Sequence, residues 1–285
     1  MPLPPYPQLG DACWRSEPFT PPGLEPVAAL RPANDPYICT NPDAPALLLV
    51  PGLSMDSRGY LRQLQLGALA DIHTLQANCG SIAGETGLGH FARHVEEYVL
   101  ARNLDKRPGG FVIGGSSMGG AISLAVCLRR RVKPRALVLI GTFGNCRHLP
   151  IYQRVLAPLS WVLPFDFGKR TLRVSARLLA KTGSAFFRDL SYMAQEHFPR
   201  TQGYYGRAIM ALTRQNQIPA AKNLALPTLV LHGMRDWVLP HKAGEELAGT
   251  IPGARFVSVK DAGHILFFTH ADQVNAEIAA FLNSL

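Results

Sequence analysis

Residues 111–126 read Phe-Val-Ile-Gly-Gly-Ser-Ser-Met-Gly-Gly-Ala-Ile-Ser-Leu-Ala-Val, an apolar run of strand length, a knot of glycines around two serines, and the start of an apolar helix. Glycines at a strand-to-helix turn serve three chemistries: a phosphate-cradling loop, a dinucleotide loop, or a bent turn that presents a nucleophile. A phosphate loop needs Lys directly after its last glycine, and Gly120 is followed by Ala121. A dinucleotide loop needs glycines two apart, and Gly109, Gly110, Gly114, Gly115, Gly119 and Gly120 supply no such pair. What remains is G-x-S-x-G, as Gly115-Ser116-Ser117-Met118-Gly119, with Ser117 at its centre. Such a turn forces the serine into a sparsely populated backbone conformation, and residues two away on either side must lack a side chain. The helix expected over 118–130 then points its positive end at the serine, where an anion would be stabilised.

Around this turn the pattern is that of a covered parallel sheet. Strand-length apolar runs at 47–50, 72–77, 111–114, 136–140, 228–231 and 255–259 alternate with helical patterns near 90–102, 118–130, 241–248 and 271–282. The alternation breaks between residues 141 and 221, which contain helical stretches punctuated by Pro164, Gly183, Pro199 and Gly203 and no strand-like run. The expected division is an extended lead-in over 1–26, an α/β core over 27–141 and 222–285, and a helical insertion over 142–221.

With 285 residues, 47% of them hydrophobic, the chain is able to bury a large core. No run approaches the roughly 18 consecutive apolar residues of a membrane span. The opening Met1-Pro2-Leu3-Pro4-Pro5-Tyr6-Pro7 has neither the basic nor the apolar part of a secretory leader, so cytoplasmic residence is the expectation. The five cysteines form no C-x-x-C pair and read as free thiols. His90 and His94, with Glu96 and Glu97 beside them, have the spacing of a metal site, but a solvated helix face is the expected reading.

A serine nucleophile requires a histidine base and an acid that orients it. On the strength of the Gly115–Gly119 turn and two further loops, the chain resembles the α/β-hydrolase superfamily over residues 27–285. In that family the order is serine, acid, histidine, and Leu229-Val230-Leu231-His232-Gly233-Met234-Arg235-Asp236 is similar to the acid turn. Asp261-Ala262-Gly263-His264 is similar to the loop that carries the histidine. The resemblance thus implies Ser117, Asp236 and His264 as catalytic residues. Asp261 stands as the rival acid, and His232 and His270 as rival histidines better explained structurally. It further implies an oxyanion hole made by the backbone N–H groups of Met118 and Leu53. Where most relatives have His-Gly before that second donor, this chain has Pro51-Gly52, which removes a side chain that braces the loop.

By the same resemblance the insertion is a lid. Between Phe143 and Arg214 it carries eleven lysines and arginines against three acids, nearly the whole of the chain's net charge of +9, together with nine aromatic residues from Trp161 to Tyr205. The charge reads either as a solvated surface or as a face for an anionic head group or membrane surface over an apolar pocket. The basic residues form no stripe with a nucleic-acid module, so nucleic acid is not an expected partner. The expected activity is serine hydrolysis of carboxylic esters with mainly apolar acyl groups on a small-molecule substrate, with no cofactor and no metal. An acyl-thioesterase, a carbon-carbon bond hydrolase and an acyltransferase share the same three residues, and a non-catalytic binding protein of the same fold is the reading from another class.

Overall fold

A computed structural model describes residues 14–16, 37–39, 41, 43–53, 55, 57–75, 77, 82, 84–149, 151–156, 204–236 and 238–285. Among the described residues eight strands form one sheet in the order β1-β2-β4-β3-β5-β6-β7-β8. Six are parallel: β3 (Ala46–Val50), β4 (Asp71–Thr74), β5 (Phe111–Ser116), β6 (Ala136–Ile140), β7 (Thr228–Gly233) and β8 (Arg255–Val259). These are the six expected apolar runs, with ends shifted by up to three residues. Two short antiparallel strands, β1 (Trp14–Ser16) and β2 (Tyr37–Cys39), extend the sheet beyond β4.

Side chains alternate between two cores, as the two-residue period of a strand requires. In β3, Ala46, Leu48 and Val50 face one layer, while Leu47 and Leu49 face the other. In β6, Leu137 and Leu139 oppose Ala136, Val138 and Ile140 in the same way. Every residue of β3, β5, β6 and β7 is buried, so both faces of the sheet are covered. Burying one such Val, Leu or Ile side chain contributes about 1.5–3 kcal/mol, and this continuous apolar slab is what fixes strand order and register. On one face lie α1 (Gly89–Ala101), α2 (Met118–Arg129) and the helix Lys242–Thr250; on the other lie the 3-10 stretch Ser57–Ala68 and the helix Ala271–Asn283.

The solvated helix face expected around His94 does not form. His94 is 4% exposed and Glu96 is fully buried, and burial pushes the His94 imidazole down to about 4. Glu96 is neutralised from across the layer, accepting from Arg129 Nε at 2.7 Å, with Arg131 Nη1 at 3.5 Å. The cluster ties α1 to the end of α2. Of the segment 142–221, the described parts include the helices Ile151–Leu156, Tyr204–Arg214 and Ile218–Ala221. Residues 157–203, which carry half of that basic surplus and seven of the nine aromatic residues, lie outside the described residues. No helix among the described residues is long and apolar enough to cross a membrane.

In a parallel sheet all strands end on the same edge, and ligands of open α/β sheets bind outside those carboxyl ends. Here β3 ends into Pro51–Leu53, β5 into Ser117, β7 into Asp236 and β8 into His264. The topology alone therefore gathers Ser117, Asp236, His264 and the Pro51–Leu53 loop at one edge.

Candidate active site

Ser117 sits between the last residue of β5 and the first of α2, with φ 51° and ψ −121°. That backbone lies in the left-handed half of conformational space, where a non-glycine residue costs about 1–3 kcal/mol unless its surroundings impose it. They do. Its N–H donates to Ile140 O at 3.0 Å, and its own carbonyl accepts from Thr142 Oγ1 at 2.6 Å, so the end of β6 clamps the turn from both sides. The glycines are required by close approach: a Cβ at Gly115 would lie 2.6 Å from Val50 O, and one at Gly119 would collide with the same oxygen. Gly119→Ala is accordingly expected to destabilise the protein by about 3 kcal/mol or more, because backbone cannot move aside as a flexible side chain can. Gly249→Ala, in a helix with nothing within 4 Å of the new Cβ, is expected to be neutral or stabilising by up to about 1 kcal/mol. Urea titration of both variants checks the contrast.

Asp236 leaves the end of β7 with its carboxylate fully enclosed. One oxygen, Oδ1, accepts from the N–H groups of Val238 and Leu239, both at 2.9 Å. The other, Oδ2, lies 2.8 Å from His264 Nδ1. Burial acts to raise the carboxyl's pKa, but the hydrogen bonds from His232 and His264, with the charge of His264 and the Leu239 N–H, outweigh it and hold it well below the usual carboxylate range. Facing a carboxylate, His264 carries its neutral-form proton on Nδ1, which leaves Nε2 as an acceptor. Between the two triad-like halves stands Gly141, directly after the Ile140 carbonyl that binds Ser117. A Cβ there would lie 3.2 Å from His264 O and 3.7 Å from Asp236 Oδ2.

The structure separates the rivals left by the sequence. Asp261 is half-exposed and pairs with Arg235 at 2.7 Å, so Asp236 is the acid on His264. His270 sits at the N-terminal cap of the helix Ala271–Asn283, with Nδ1 2.9 Å from Thr269 Oγ1. His232 is fully buried in β7, and its Nε2 lies 3.1 Å from Leu239 O and 3.3 Å from Asp236 Oδ2.

Over the elbow, the loop after β3 is placed by Gly52, where a Cβ would be 3.2 Å from Ser117 Cβ. Leu53 follows, half-buried against the core, and Met118 is buried as the first residue of α2. At that position a helix has no carbonyl one turn back to take its N–H. The brace that Pro51 does not supply comes from a residue the sequence did not flag. Tyr60 is fully buried, donates its hydroxyl to Val50 O at 3.1 Å and stacks at a tilt on Phe267 with ring centroids 5.1 Å apart. Burial raises its phenol well above the ordinary tyrosine value, so it stays a neutral donor.

Comparison with known proteins bears on the family and the fold. The chain is 30% identical to a 2-hydroxymuconate semialdehyde hydrolase of Pseudomonas putida over 182 residues, 60% of this chain and 61% of that one. It is 25% identical to a pimeloyl-[acyl-carrier protein] methyl ester esterase of Neisseria meningitidis over 194 residues, 60% of this chain and 69% of that one. Among the curated relatives it matches first, the chain spans less than two thirds of their length, from 9% to 61%. A solved hydrolase from Pseudomonas aeruginosa superposes with a TM-score of 0.72 over 87% of this chain and 94% of that chain, at 18% identity, which speaks to the fold alone. A family model described as the alpha/beta hydrolase family matches residues 47–277, from the first core strand to the last helix. The chain belongs to the alpha/beta hydrolase family.

Proposed function

We propose that this protein is a serine hydrolase that cleaves carboxylic esters of mainly apolar acyl groups through an acyl-enzyme. The observation that carries the reading is the Asp236–His264 hydrogen bond of 2.8 Å at the edge where the strained Ser117 turn ends β5. In this reading His264 Nε2 takes the Ser117 proton as the hydroxyl attacks the ester carbonyl. The N–H groups of Leu53 and Met118 hold the oxyanion, and the positive end of α2 adds to them. His264 then gives the proton to the leaving alkoxide. In a second half-reaction it activates water, which releases the acid and restores Ser117. Asp236 keeps the proton of neutral His264 on Nδ1 throughout and stabilises the imidazolium that forms.

The bond cleaved is the point on which the rival chemistries differ. A thioesterase, a carbon-carbon bond hydrolase and an acyltransferase would use the same three residues. The name of the Pseudomonas putida relative states no bond, and that of the neisserial relative, a methyl ester esterase, favours an ester. Hydrolysis of p-nitrophenyl esters of graded chain length, set beside acyl-thioesters of the same acyl groups, tests the proposal. Esters are expected to be the better substrates by kcat/KM, and a consistent preference for thioesters overturns the ester assignment.

We also propose an anionic group as the partner of the basic lid. Supporting this, the described part of the lid places Arg207 and Arg214 in a cavity of about 450 Å³ shared with His90. Exposed charges act over a screening length that falls from roughly 20 Å at about 20 mM salt to roughly 4 Å at about 500 mM. Raising salt over that span is expected to lower kcat/KM severalfold for acyl esters bearing a carboxylate or phosphate and to leave neutral esters nearly unchanged. Equal responses of the two substrate classes would reduce the charge to a solvated surface. Charge reversal at Arg173 and Arg177, which lie outside the described residues, is expected to reproduce the loss at low salt.

A further inference from the structure

His232 lies one strand-end away from the acid and takes no part in the mechanism just given. It is fully buried, and its ring meets that of His241 edge to face, with centroids 5.8 Å apart. Among the described residues Nδ1 has no hydrogen-bond partner, and it faces Gly244 of the helix Lys242–Thr250 so closely that a Cβ there would lie 2.6 Å from it. Nε2, by contrast, faces two acceptors and no donor among the described residues: Leu239 O at 3.1 Å and Asp236 Oδ2 at 3.3 Å. A nitrogen between two acceptors must carry a proton, and a buried N–H with no acceptor is costly, so the ring is the neutral Nε2–H form. The imidazole therefore stands as a fixed N–H donor shared by a carbonyl and the carboxylate.

The consequence lies at Asp236. Four N–H groups converge on its two oxygens, the backbone of Val238 and Leu239 on Oδ1, and His264 and His232 on Oδ2. Oδ2 is thus held from two sides, by the histidine it orients and by one that does not move. Without His232, the carboxylate would keep its two backbone anchors on Oδ1 and be free to swing about them. The Oδ2···Nδ1 line that aims the His264 ring would no longer be fixed. We propose that His232 is a positioning residue, whose Nε2–H pins the Asp236 oxygen that orients His264. The inference rests on the catalytic reading of Ser117, Asp236 and His264.

The test combines a tautomer measurement with two variants of different hydrogen-bonding capacity. Glutamine places an N–H where histidine has Nε2, and leucine of similar volume places none. Turnover of p-nitrophenyl butyrate and the rate at which a fluorophosphonate probe labels Ser117 are measured on the full chain. His232→Leu is expected to lower kcat and the labelling rate by about 10- to 100-fold, the span of one hydrogen bond to a charged group, with KM within about twofold. His232→Gln is expected to recover both rates to within about threefold of the parent. A leucine variant with parental rates overturns the proposal, and so does a glutamine variant as slow as the leucine one, since a purely packing role would ignore the N–H. If the leucine variant does not fold, long-range ¹H–¹⁵N spectra of the parent protein decide with the glutamine variant. The Nε2–H form of His232 with a glutamine variant near parental rates supports the proposal, and an Nδ1–H or doubly protonated ring overturns it. Failure of the parent protein to label at Ser117 would instead refute the catalytic reading, and the spectra distinguish the two failures.

Discussion

Ser117→Ala is expected to lower kcat by about 10⁴- to 10⁶-fold, because losing the nucleophile removes the covalent route and leaves only what binding and the oxyanion hole supply. The chain sets two serines side by side, and the geometry distinguishes them. Ser116 is the last residue of β5, 1% exposed, with its backbone paired into the sheet. Ser117 is half-buried, in the strained turn beyond it, under the Gly52 loop. A fluorophosphonate probe is therefore expected to modify Ser117, read by fragmenting the peptide that contains both serines. Ser116→Ala is expected to keep turnover within about threefold, since it removes no reacting group. The backbone strain at Ser117 is common to serine and alanine, so the Ser117→Ala variant is expected to keep its stability to within about 0.5 kcal/mol, the usual range for substitutions away from packed or bonded groups. A probe adduct on Ser116, or a Ser117→Ala enzyme with more than about a hundredth of parental kcat at unchanged fold, refutes the assignment.

The parts of this architecture legible in the sequence are those that local chemistry writes in consecutive residues. The six parallel strands announce themselves as apolar runs because both faces of each are buried, and the elbow does so because the backbone of Val50 and Gly119 admits no Cβ between them. The loops of Asp236 and His264 were legible through strand-end position and chain order, and the structure places Asp236, not Asp261, in a hydrogen bond with His264. What stayed hidden depends on partners far along the chain. The strands β1 and β2 are three residues each, too short to show a period, and owe their existence to pairing. Glu96 reads as a surface charge until Arg129, 33 residues on, is folded against it. In Ser57–Ala68 the fully buried Gln63 looks like a solvent-facing residue, yet its Nε2 donates to Phe267 O at 2.6 Å and Asn275 Oδ1 at 3.1 Å, both more than 200 residues away. Tyr60 was invisible for the same reason, and His232 was read only as a rival histidine, since each acts through an oxygen that only the tertiary fold brings within reach.

Asp236→Asn is the second large effect, with kcat expected to fall about 10³- to 10⁴-fold while the fold is retained. The cause is a forced donor-to-donor contact. Asn has one acceptor oxygen, and the backbone N–H groups of Val238 and Leu239 both demand it at the Oδ1 position. The amide NH₂ must then take the place of Oδ2 and face His264 Nδ1. For that pair to bond, His264 has to shift its proton from Nδ1 to Nε2, and an Nε2–H ring is unable to accept the proton of Ser117. Asp261→Asn serves as the control, because Asp261 is half-exposed and its pairing with Arg235 is of the surface kind worth about 0–1 kcal/mol. Its kcat is expected to stay within about twofold. The acid stability of the two proteins carries a further sign. The Asp236 carboxyl is held below its ordinary value in the folded state, so the stability it contributes is fully present above the unfolded carboxylate pKa, about 4, and is lost as pH falls through the lower folded value. The stability advantage of the parent over the Asn variant, measured by urea titration, is therefore expected to be constant from neutral pH down to about 4 and to shrink below it. An Asp236→Asn enzyme with more than about a tenth of parental kcat, or an Asp261→Asn enzyme that loses more than the Asp236 variant, would return the acid to Asp261.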